Sequence, residues 1–334
     1  MRATAVVQYT SRRRLLLAGA AVAAAPGRIG AQQPGRTYRL GWLSAGASRA
    51  EGFNNAFVER LRELGFVAGR NLVIEIRSAQ GVAEHLPAIA TELVKLNCDV
   101  LFVPGPEVAL IAAKQASRDT PIIVAANDYD PVATGHVASL AKPGGRITGV
   151  TQLQVQLAAK RLEVLCELLP TAKRVAVFAD IATVEQLAVL KAAAPRLAVA
   201  LDVVDFKRGP YDYEAAFAAI VRRKAEALMM LGSAFFAPAR VRICELALAH
   251  RLPGAYNNYL WAEAGGLISY GANFSDTYRR AADKVAQVLK GVKPADIPME
   301  QPSTVEMVVN LKTARALGVT IPASIAARAD RAIQ

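Results

Sequence analysis

The sequence predicts an α/β protein with two doubly wound parallel-sheet lobes and a cleft between them. Short apolar segments alternate with amphipathic helical segments from about residue 38 to the C-terminus. This alternation is typical of parallel strands joined by crossover helices. The strands are too numerous for one sheet of ordinary size, and 334 residues are long enough to build two separate cores.

The first half of the chain follows this alternation in order. Helices are predicted over 51–65, 82–97, 107–117 and 131–141. They separate strands predicted at 38–45, 71–79, 98–105, 121–127 and 146–151. Because each strand is followed by a helix, the five strands are expected to lie parallel in one sheet.

The second half repeats the pattern. Helices are predicted over 155–169, 183–194, 212–225, 240–251 and 276–290. Strands are predicted at 174–180, 197–206, 227–233, 253–258, 265–271 and 305–311. Glycine-rich stretches at 143–145 and 265–266 are candidate points for the chain to cross between the two lobes.

The N-terminus is predicted to be a signal peptide over residues 1–31. The segment SRRRLLLAGAAVAAA places a basic region before a short apolar stretch that is too short to span a membrane permanently. Its Ser-Arg-Arg-x-Leu-Leu pattern resembles a twin-arginine export signal, and a Sec signal stays open as the alternative. Cleavage near Ala31 would give a periplasmic protein with no membrane-spanning segment.

Charge and cysteine content set limits on the class of protein. Removing the five arginines of residues 1–31 lowers the formal charge from +12 to +7, and the remaining basic residues form no run. This distribution favours an ordinary basic surface over nucleic-acid binding. Cys98, Cys166 and Cys244 lack metal-ligand spacing, so they are expected to be buried thiols, with one disulfide and one thiol as the alternative.

The motifs that mark common enzyme classes are absent from the sequence. It contains no G-x-G-x-x-G, no P-loop and no G-x-S-x-G motif. His85, His136 and His250 are widely separated and have no neighbouring metal ligand at a recognised spacing. Asp128 and Asp130 could perform acid–base chemistry, but turn formation explains Asp130 equally well because Pro131 follows it. We therefore expect no enzyme activity, no metal and no cofactor.

Candidate ligand contacts follow from the fold, because ligands of doubly wound sheets bind outside the carboxyl ends of the strands. Polar and aromatic residues occur at several of these ends. Phe235 and Phe236 are adjacent, so they cannot easily face one core, and one of them is expected at the cleft or an interface. Trp261 fits core packing as well as the cleft. The predicted ligand-binding residues are Ser44, Glu107, Asp128, Tyr129, Asp130, Phe235, Phe236, Tyr256 and Asn257.

Several long segments resemble a known family. The chain is similar to ABC-transporter substrate-binding proteins of the group that includes tryptophan- and tyrosine-binding members, over about residues 38–330. The resemblance lies in FVERLRELGFVAGRNLVIEIRSAQG, LPAIATELVKLNCDVLFV, AAKQASRDTPIIV, DPVATGHVASLAKPGGRITGVT, AGGLISYGANFSDTYRRAADKVAQVLKGVKPADIPMEQP and VVNLKTARALGVTIP.

This resemblance implies a type I periplasmic-binding fold, in which two Rossmann-like lobes joined by three crossings close on a ligand like a Venus flytrap. It assigns 38–150 with 266–300 to lobe 1, and 151–265 with 301–334 to lobe 2. It implies a monomeric solute-binding protein that delivers a small molecule to an ABC permease and its separate ATPase. Signalling to a membrane receptor is the alternative, followed by an exported enzyme.

The resemblance implies that Glu107 occupies the position at which family members that bind an aromatic amino acid have a Thr or Ser that holds the ligand carboxylate. A glutamate would repel a carboxylate at short range. The sequence therefore predicts a ligand that offers an amine or hydroxyl groups to Glu107 and Asp128, with an aromatic ring as a further expected feature of the ligand.

Overall fold

The structure is a computed structural model that describes residues 35–46, 52–207, 210–302 and 304–334. Its first sheet has five strands. All neighbouring strands are parallel, in the order β2-β1-β3-β4-β5. The strands are β1 (Tyr38–Ser44), β2 (Leu72–Ser78), β3 (Val100–Gly105), β4 (Ile122–Ala126) and β5 (Ile147–Thr151). The three central strands, β1, β3 and β4, are almost wholly buried, as expected of a parallel sheet covered on both faces.

Helices cover both faces of this sheet. They are α1 (Gly52–Glu63), α2 (Leu86–Lys95), α3 (Glu107–Ala116) and α9 (Phe274–Leu289). On the face covered by α1 and α9, Trp42, Phe57, Phe102 and Tyr278 form an aromatic core in which the rings of Phe57 and Phe102 stack with centroids 4.4 Å apart. Helices α2 and α3 cover the opposite face with a second apolar cluster.

The second sheet has seven strands in the order β12-β11-β10-β9-β8-β6-β7. Among the described strands, β10 and β11 form the only antiparallel pair. The strands are β6 (Arg174–Asp180), β7 (Ala200–Phe206), β8 (Ala227–Met230), β9 (Gly254–Tyr256), β10 (Ile268–Ala272), β11 (Val305–Asn310) and β12 (Arg331–Ile333). The helices that accompany this sheet are α4 (Gln154–Leu168), α5 (Val184–Ala193), α6 (Tyr213–Arg222), α7 (Arg240–Ala249), α8 (Tyr259–Glu263), α10 (Leu311–Leu317) and α11 (Ala323–Arg328).

The chain passes between the two sheets at three places. It leaves β5 for α4 at 151–154, leaves β10 for α9 at 272–274, and returns to β11 at 301–304. Glu300 still belongs to the edge of the first sheet, since its N–H donates to the Gly149 carbonyl at 3.0 Å. The expected division put 266–300 in lobe 1, but the structure places β10 in the second sheet and only α9 onward with the first.

The predicted helix over 131–141 is wrong, because the structure has turns there. The Asp130 carboxylate accepts hydrogen bonds from the Val132 and Ala133 amides, and Gly135 has a φ of 72°. These features suit turns and interrupt a continuous helix. The residues of the predicted signal peptide, 1–31, lie outside the described part of the chain.

Two further predictions concern the cysteines and membrane-spanning helices. The three cysteines are free thiols, and burial raises the pKa of Cys98 to about 11. Among the described residues, no helix combines the length and the apolar character needed to cross a bilayer.

Candidate functional site

A cavity of about 60 Å³ lies between the two sheets, at the carboxyl ends of their strands. Its walls come from both lobes and from two of the crossing segments. The lining residues are Ser44, Pro104, Gly105, Asn127, Gln152, Ser233, Ala234, Ala237, Arg240, Asn257, Asn258, Leu260, Trp261, Phe274 and Tyr278. This combination of an apolar wall and a few polar groups is typical of a small-molecule site.

The polar groups of the cavity come from strand and helix ends. Ser44 is the last residue of β1, and Asn257 and Asn258 directly follow β9. The Asn258 side chain caps α8 by accepting a hydrogen bond from the Leu260 amide at 3.1 Å. Arg240 begins α7, and it is the only described lining residue whose side chain is charged at neutral pH. The described lining therefore contains one positively charged side chain and several neutral polar groups.

An aromatic wall forms the apolar part of the cavity. Trp261, Phe274 and Tyr278 line it. The ring of Tyr256 stacks on Trp261 with centroids 5.2 Å apart, and Tyr256 is itself fully buried. Gly266 makes this stack possible, since a side chain there would meet the Tyr256 ring at 2.6 Å. Tyr256 thus supports the cavity wall from behind without lining it.

The two lobes touch beside the cavity. The Asn127 side chain of the first lobe donates a 2.7 Å hydrogen bond to the Gly232 carbonyl of the second. The Gln186 side chain binds the same glycine twice. Its Oε1 accepts a hydrogen bond from the Gly232 N–H at 2.8 Å, and its Nε2 donates to the Gly232 carbonyl at 2.9 Å. Gly46 also lies so close to Ala234 that a Cβ would come within 1.6 Å of its carbonyl oxygen. The two lobes are therefore in contact, and the Asn127 side chain forms a hydrogen bond across that contact.

The chain matches the family model described as "ABC transporter substrate binding protein" over residues 48–333. It belongs to the ABC transporter substrate-binding protein family. The resemblance noted from the sequence is confirmed.

Individual relatives agree with this assignment. This substrate-binding protein is 25% identical over 274 residues to a tyrosine-binding protein of Clostridioides difficile, covering 78% of this chain and 75% of the relative. A crystal structure of a conserved domain protein from Vibrio cholerae matches with a TM-score of 0.80 and 25% identity, over 89% of this chain and 100% of the other. An L-Trp complex from Streptococcus pneumoniae matches with a TM-score of 0.75 and 23% identity, over the same shares.

These matches confirm the predicted fold class, two α/β lobes of the type I periplasmic-binding kind. The family is one of substrate-binding proteins, and one of the matching structures is an ABC domain in complex with L-Trp. Within this protein, the structure places the residues expected to contact a ligand in three different environments.

Ser44 and Asn257 are the two expected residues that line the cavity. Phe235 is 2% exposed and belongs to the apolar cluster that is formed mainly by first-lobe residues, Leu43 and Ala45 among them. Phe236 turns the other way and is buried in the core of the second lobe, with its ring 5.5 Å from Phe206. The two phenylalanines therefore separate between two cores, and neither lines the cavity.

Glu107 begins α3, but its carboxylate does not line the cavity. Its Oε1 lies 2.7 Å from Nε2 of the half-buried His136, whose Nδ1 lies 2.9 Å from Nζ of Lys114. Asp128 caps the same helix, since its Oδ1 accepts a hydrogen bond from the Glu107 amide at 3.0 Å. Burial raises the pKa of Asp128 well above its usual range, and this amide partly offsets the effect. Both carboxylates are thus engaged within the first lobe.

Tyr129 and Asp130 lie next to the crossing segments. Tyr129 is 6% exposed, and its ring meets His136 edge to face with centroids 5.8 Å apart. Asp130 is exposed and forms the turn described above. Neither residue lines the cavity between the lobes.

Several lining residues were not predicted from the sequence, among them Gln152 and Arg240. No local pattern distinguishes Arg240, because Arg242 lies in the same first turn of α7 and pairs with Glu214 and Glu245 on the surface. Asn127 belongs to segment 127–131 after β4, which the fold predicts to lie at the cleft, although only Asp128, Tyr129 and Asp130 of that segment are among the predicted ligand-binding residues.

A buried carboxylate lies directly behind the cavity. Asp180 ends β6 with 3% of its surface exposed, and the Ser233 hydroxyl donates to its Oδ2 at 2.5 Å. The same hydroxyl oxygen accepts a hydrogen bond from the Phe235 amide at 3.1 Å. Burial raises the pKa of Asp180 to about 6, despite the opposing effect of the Ser233 hydroxyl and the Ala182 amide. Asp180 thus orders the loop that carries Phe235 to the first lobe.

Proposed function

We propose that this protein is periplasmic, captures a small organic molecule in the cavity between its lobes and delivers it to an ABC importer. The importer would consist of a membrane permease and a separate ATPase. Family membership and the position of the cavity, which both lobes line, support this function. The N-terminal pattern of basic and apolar residues supports export before binding.

We further propose that the ligand carries an acidic group and an apolar or aromatic part. Arg240 is the observation that carries this proposal, because a guanidinium suits a carboxylate through paired hydrogen bonds. Ser44 and Asn257 would bind the remaining polar atoms, and Trp261 would cover an apolar surface. Glu107, which the sequence suggested as the partner of a ligand amine, is engaged with His136 instead.

The names of the relatives agree with this chemistry. One relative is named a tyrosine-binding protein and one matching structure holds L-Trp, and both ligands combine a carboxylate with an aromatic ring. The cavity of about 60 Å³ holds roughly four to six water-sized groups as it stands. An aromatic amino acid would therefore require the lobes to move apart slightly, as hinged lobes do.

Isothermal titration of the exported protein, freed of co-purifying ligand, tests the proposal. The titrants are aromatic amino acids, the amines that lack only their carboxylate, and simple aromatic acids. We expect the acids to bind and the amines not to bind. Arg240→Gln should weaken binding roughly tenfold to hundredfold, since a hydrogen bond to a charged group contributes about 1.5–3 kcal/mol.

Two control variants separate this effect from general changes in charge. Arg242→Gln removes an arginine from the same helix, where Arg242 pairs with Glu214 and Glu245 on the exposed surface, and it should bind normally. Glu107→Gln should also bind normally. Tighter binding of the amines, or unchanged binding by Arg240→Gln, would contradict the acidic-ligand proposal.

A further inference from the structure

Four neighbouring strands of the second sheet, β7, β6, β8 and β9, begin at one edge of the second lobe. They are parallel, so their amino ends lie together. The segments that enter them adjoin, since the Ala200 amide donates to the Lys173 carbonyl at 2.7 Å and the Glu226 amide to the Arg174 carbonyl at 2.9 Å. The cavity between the lobes lies at the opposite, carboxyl ends of the strands. This edge is therefore a surface separate from the ligand cavity.

Basic residues that are scattered along the sequence collect at this edge. The entering segments, residues 170–174, 194–199, 222–226 and 250–253, contain seven Lys or Arg and one acid, which gives a net charge of +6. We call this surface the basic edge, and all seven of its basic residues are exposed. They are Lys173, Arg174, Arg196, Arg222, Arg223, Lys224 and Arg251.

Most of this charge is uncompensated. Arg174 pairs with Glu226 at 3.1 Å, and Arg223 pairs with Asp202 at 2.8 Å. The other five basic residues form no ion pair with any residue that the structure describes. Neighbouring strands lie about 4.8 Å apart, so the four strand ends place these charges within roughly 15 Å of one another. A negatively charged partner surface would relieve the repulsion among them.

Two of the basic residues occupy backbone positions that favour glycine. Lys224 follows the end of α6 with a φ of 57°, and Arg251 follows the end of α7 with a φ of 54°. A left-handed conformation is unfavourable for a residue with a side chain. The ends of α1, α9 and α10 have the same pair of backbone hydrogen bonds, and there the left-handed residues are Gly65, Gly291 and Gly318. The fold alone would favour glycine at 224 and 251, so the two positive charges point to a role outside the fold.

Exposed apolar side chains accompany these two charges. Val221 is 41% exposed and Leu248 is 40% exposed. The Lys224 amide donates to the Val221 carbonyl at 2.9 Å, and the Arg251 amide donates to the Leu248 carbonyl at 3.0 Å. Each apolar residue thus lies within one helical turn of a basic residue. Basic residues mixed with exposed aliphatic ones are typical of surfaces that bind the headgroup region of a membrane.

We propose that the basic edge binds anionic phospholipid headgroups at a membrane surface. This rests on the export proposed above, since an exported protein works beside a membrane, but it does not depend on which ligand the cavity takes. Each Lys or Arg close to an anionic membrane strengthens binding about fivefold, which corresponds to about 1 kcal/mol. Because the cavity lies at the opposite strand ends, the bound protein would keep it turned away from the lipid.

Cosedimentation of the exported protein with lipid vesicles tests the proposal. The vesicles contain equal parts of phosphatidylglycerol and phosphatidylcholine, or phosphatidylcholine alone. We expect binding to the anionic vesicles only, and added salt should weaken it. Lys224→Gln combined with Arg251→Gln should weaken it about 25-fold, at about fivefold for each residue. Lys95→Gln combined with Arg118→Gln removes the same charge from exposed positions of the first lobe and should bind as wild type does.

A second pair of substitutions separates binding from folding. Lys224→Gly combined with Arg251→Gly removes the two charges and also provides the residue that each left-handed position favours. The Tm should therefore equal or exceed that of wild type, while binding to the anionic vesicles falls as it does for the glutamine pair. A loss of binding with an intact fold assigns the effect to the charges.

The vesicle assay uses purified protein, so it gives its result whether or not the proposals on export and on the ligand hold. Absence of binding, equal binding to both kinds of vesicle, or the same weakening by the first-lobe pair would overturn the proposal. Retention on immobilised polyglutamate without binding to vesicles would also overturn it, and would identify an acidic protein surface as the partner.

Discussion

At the scale of single residues, a strand end identifies the neighbourhood of a site but not the direction of each side chain. Glu107 follows β3 as the sequence predicts, yet its carboxylate contacts His136, which lies 29 positions further along the chain. No local pattern distinguishes that contact from one with a ligand. Arg240 lines the cavity, yet its place in the first turn of α7 does not distinguish it from Arg242, which pairs with Glu214 on the surface.

Asp180 gives a prediction at this scale. Its folded-state pKa of about 6 lies above the ordinary value of 3.8, so the folded protein retains this proton where the unfolded chain has lost it. The contribution of Asp180 to stability is therefore fully present below about pH 4, and it is lost as the pH rises to about 6. The unfolding free energy falls by on the order of 3 kcal/mol at most over this pH range.

Urea unfolding across this pH range measures the effect. Asp180→Asn should abolish this part of the fall in unfolding free energy, since an amide cannot ionise. Asp119→Asn, at an exposed loop position, should keep the wild-type pH profile. A pH profile of Asp180→Asn that matched wild type would show that Asp180 ionises in the folded protein as easily as in water.

At the scale of elements, the length of a helix decided how well the sequence predicted it. Long amphipathic helices such as α9 were predicted within a few residues, because their apolar stripe is read over several turns. The short helices α8, α10 and α11 have only five to seven residues and were missed. Such helices form because packing and caps stabilise them, as Asn310 does for α10 by accepting from the Thr313 amide.

The cap of α3 gives a prediction at this scale. The Asp128 carboxylate accepts a hydrogen bond from the amide of Glu107, which lies 21 positions earlier in the chain. Asp128 therefore caps α3 from the loop that follows β4. Asp128→Ala should lower the unfolding free energy by about 1 kcal/mol, and Asp128→Asn should retain most of it because an amide oxygen still accepts. Denaturant titration measures both. Weakened ligand binding by Asp128→Asn at unchanged stability would instead assign Asp128 to the ligand.

At the scale of the whole molecule, the sequence predicted two lobes but not how they touch. Alternating strands and helices establish the sheets, whereas the lobe contact depends on side chains that are far apart in sequence. Asn127 and Gly232 are separated by 105 positions. The pair Phe235 and Phe236 was expected to divide between two surroundings, and only the structure shows that one of them crosses into the opposite lobe.

This division makes the two phenylalanines a matched pair for a test of lobe closure. Phe236 is buried in the core of one lobe, so Phe236→Ala should lower the unfolding free energy by about 3–5 kcal/mol. Phe235 is buried in a cluster formed mainly by residues of the opposite lobe, so Phe235→Ala should cost less stability and should instead favour separated lobes. Small-angle scattering should then give a larger radius of gyration for Phe235→Ala than for wild type, together with weaker ligand binding in titration. If Phe235→Ala lost as much stability as Phe236→Ala and kept the wild-type radius of gyration, Phe235 would be an ordinary core residue, and the lobes would form one rigid unit rather than a closing pair.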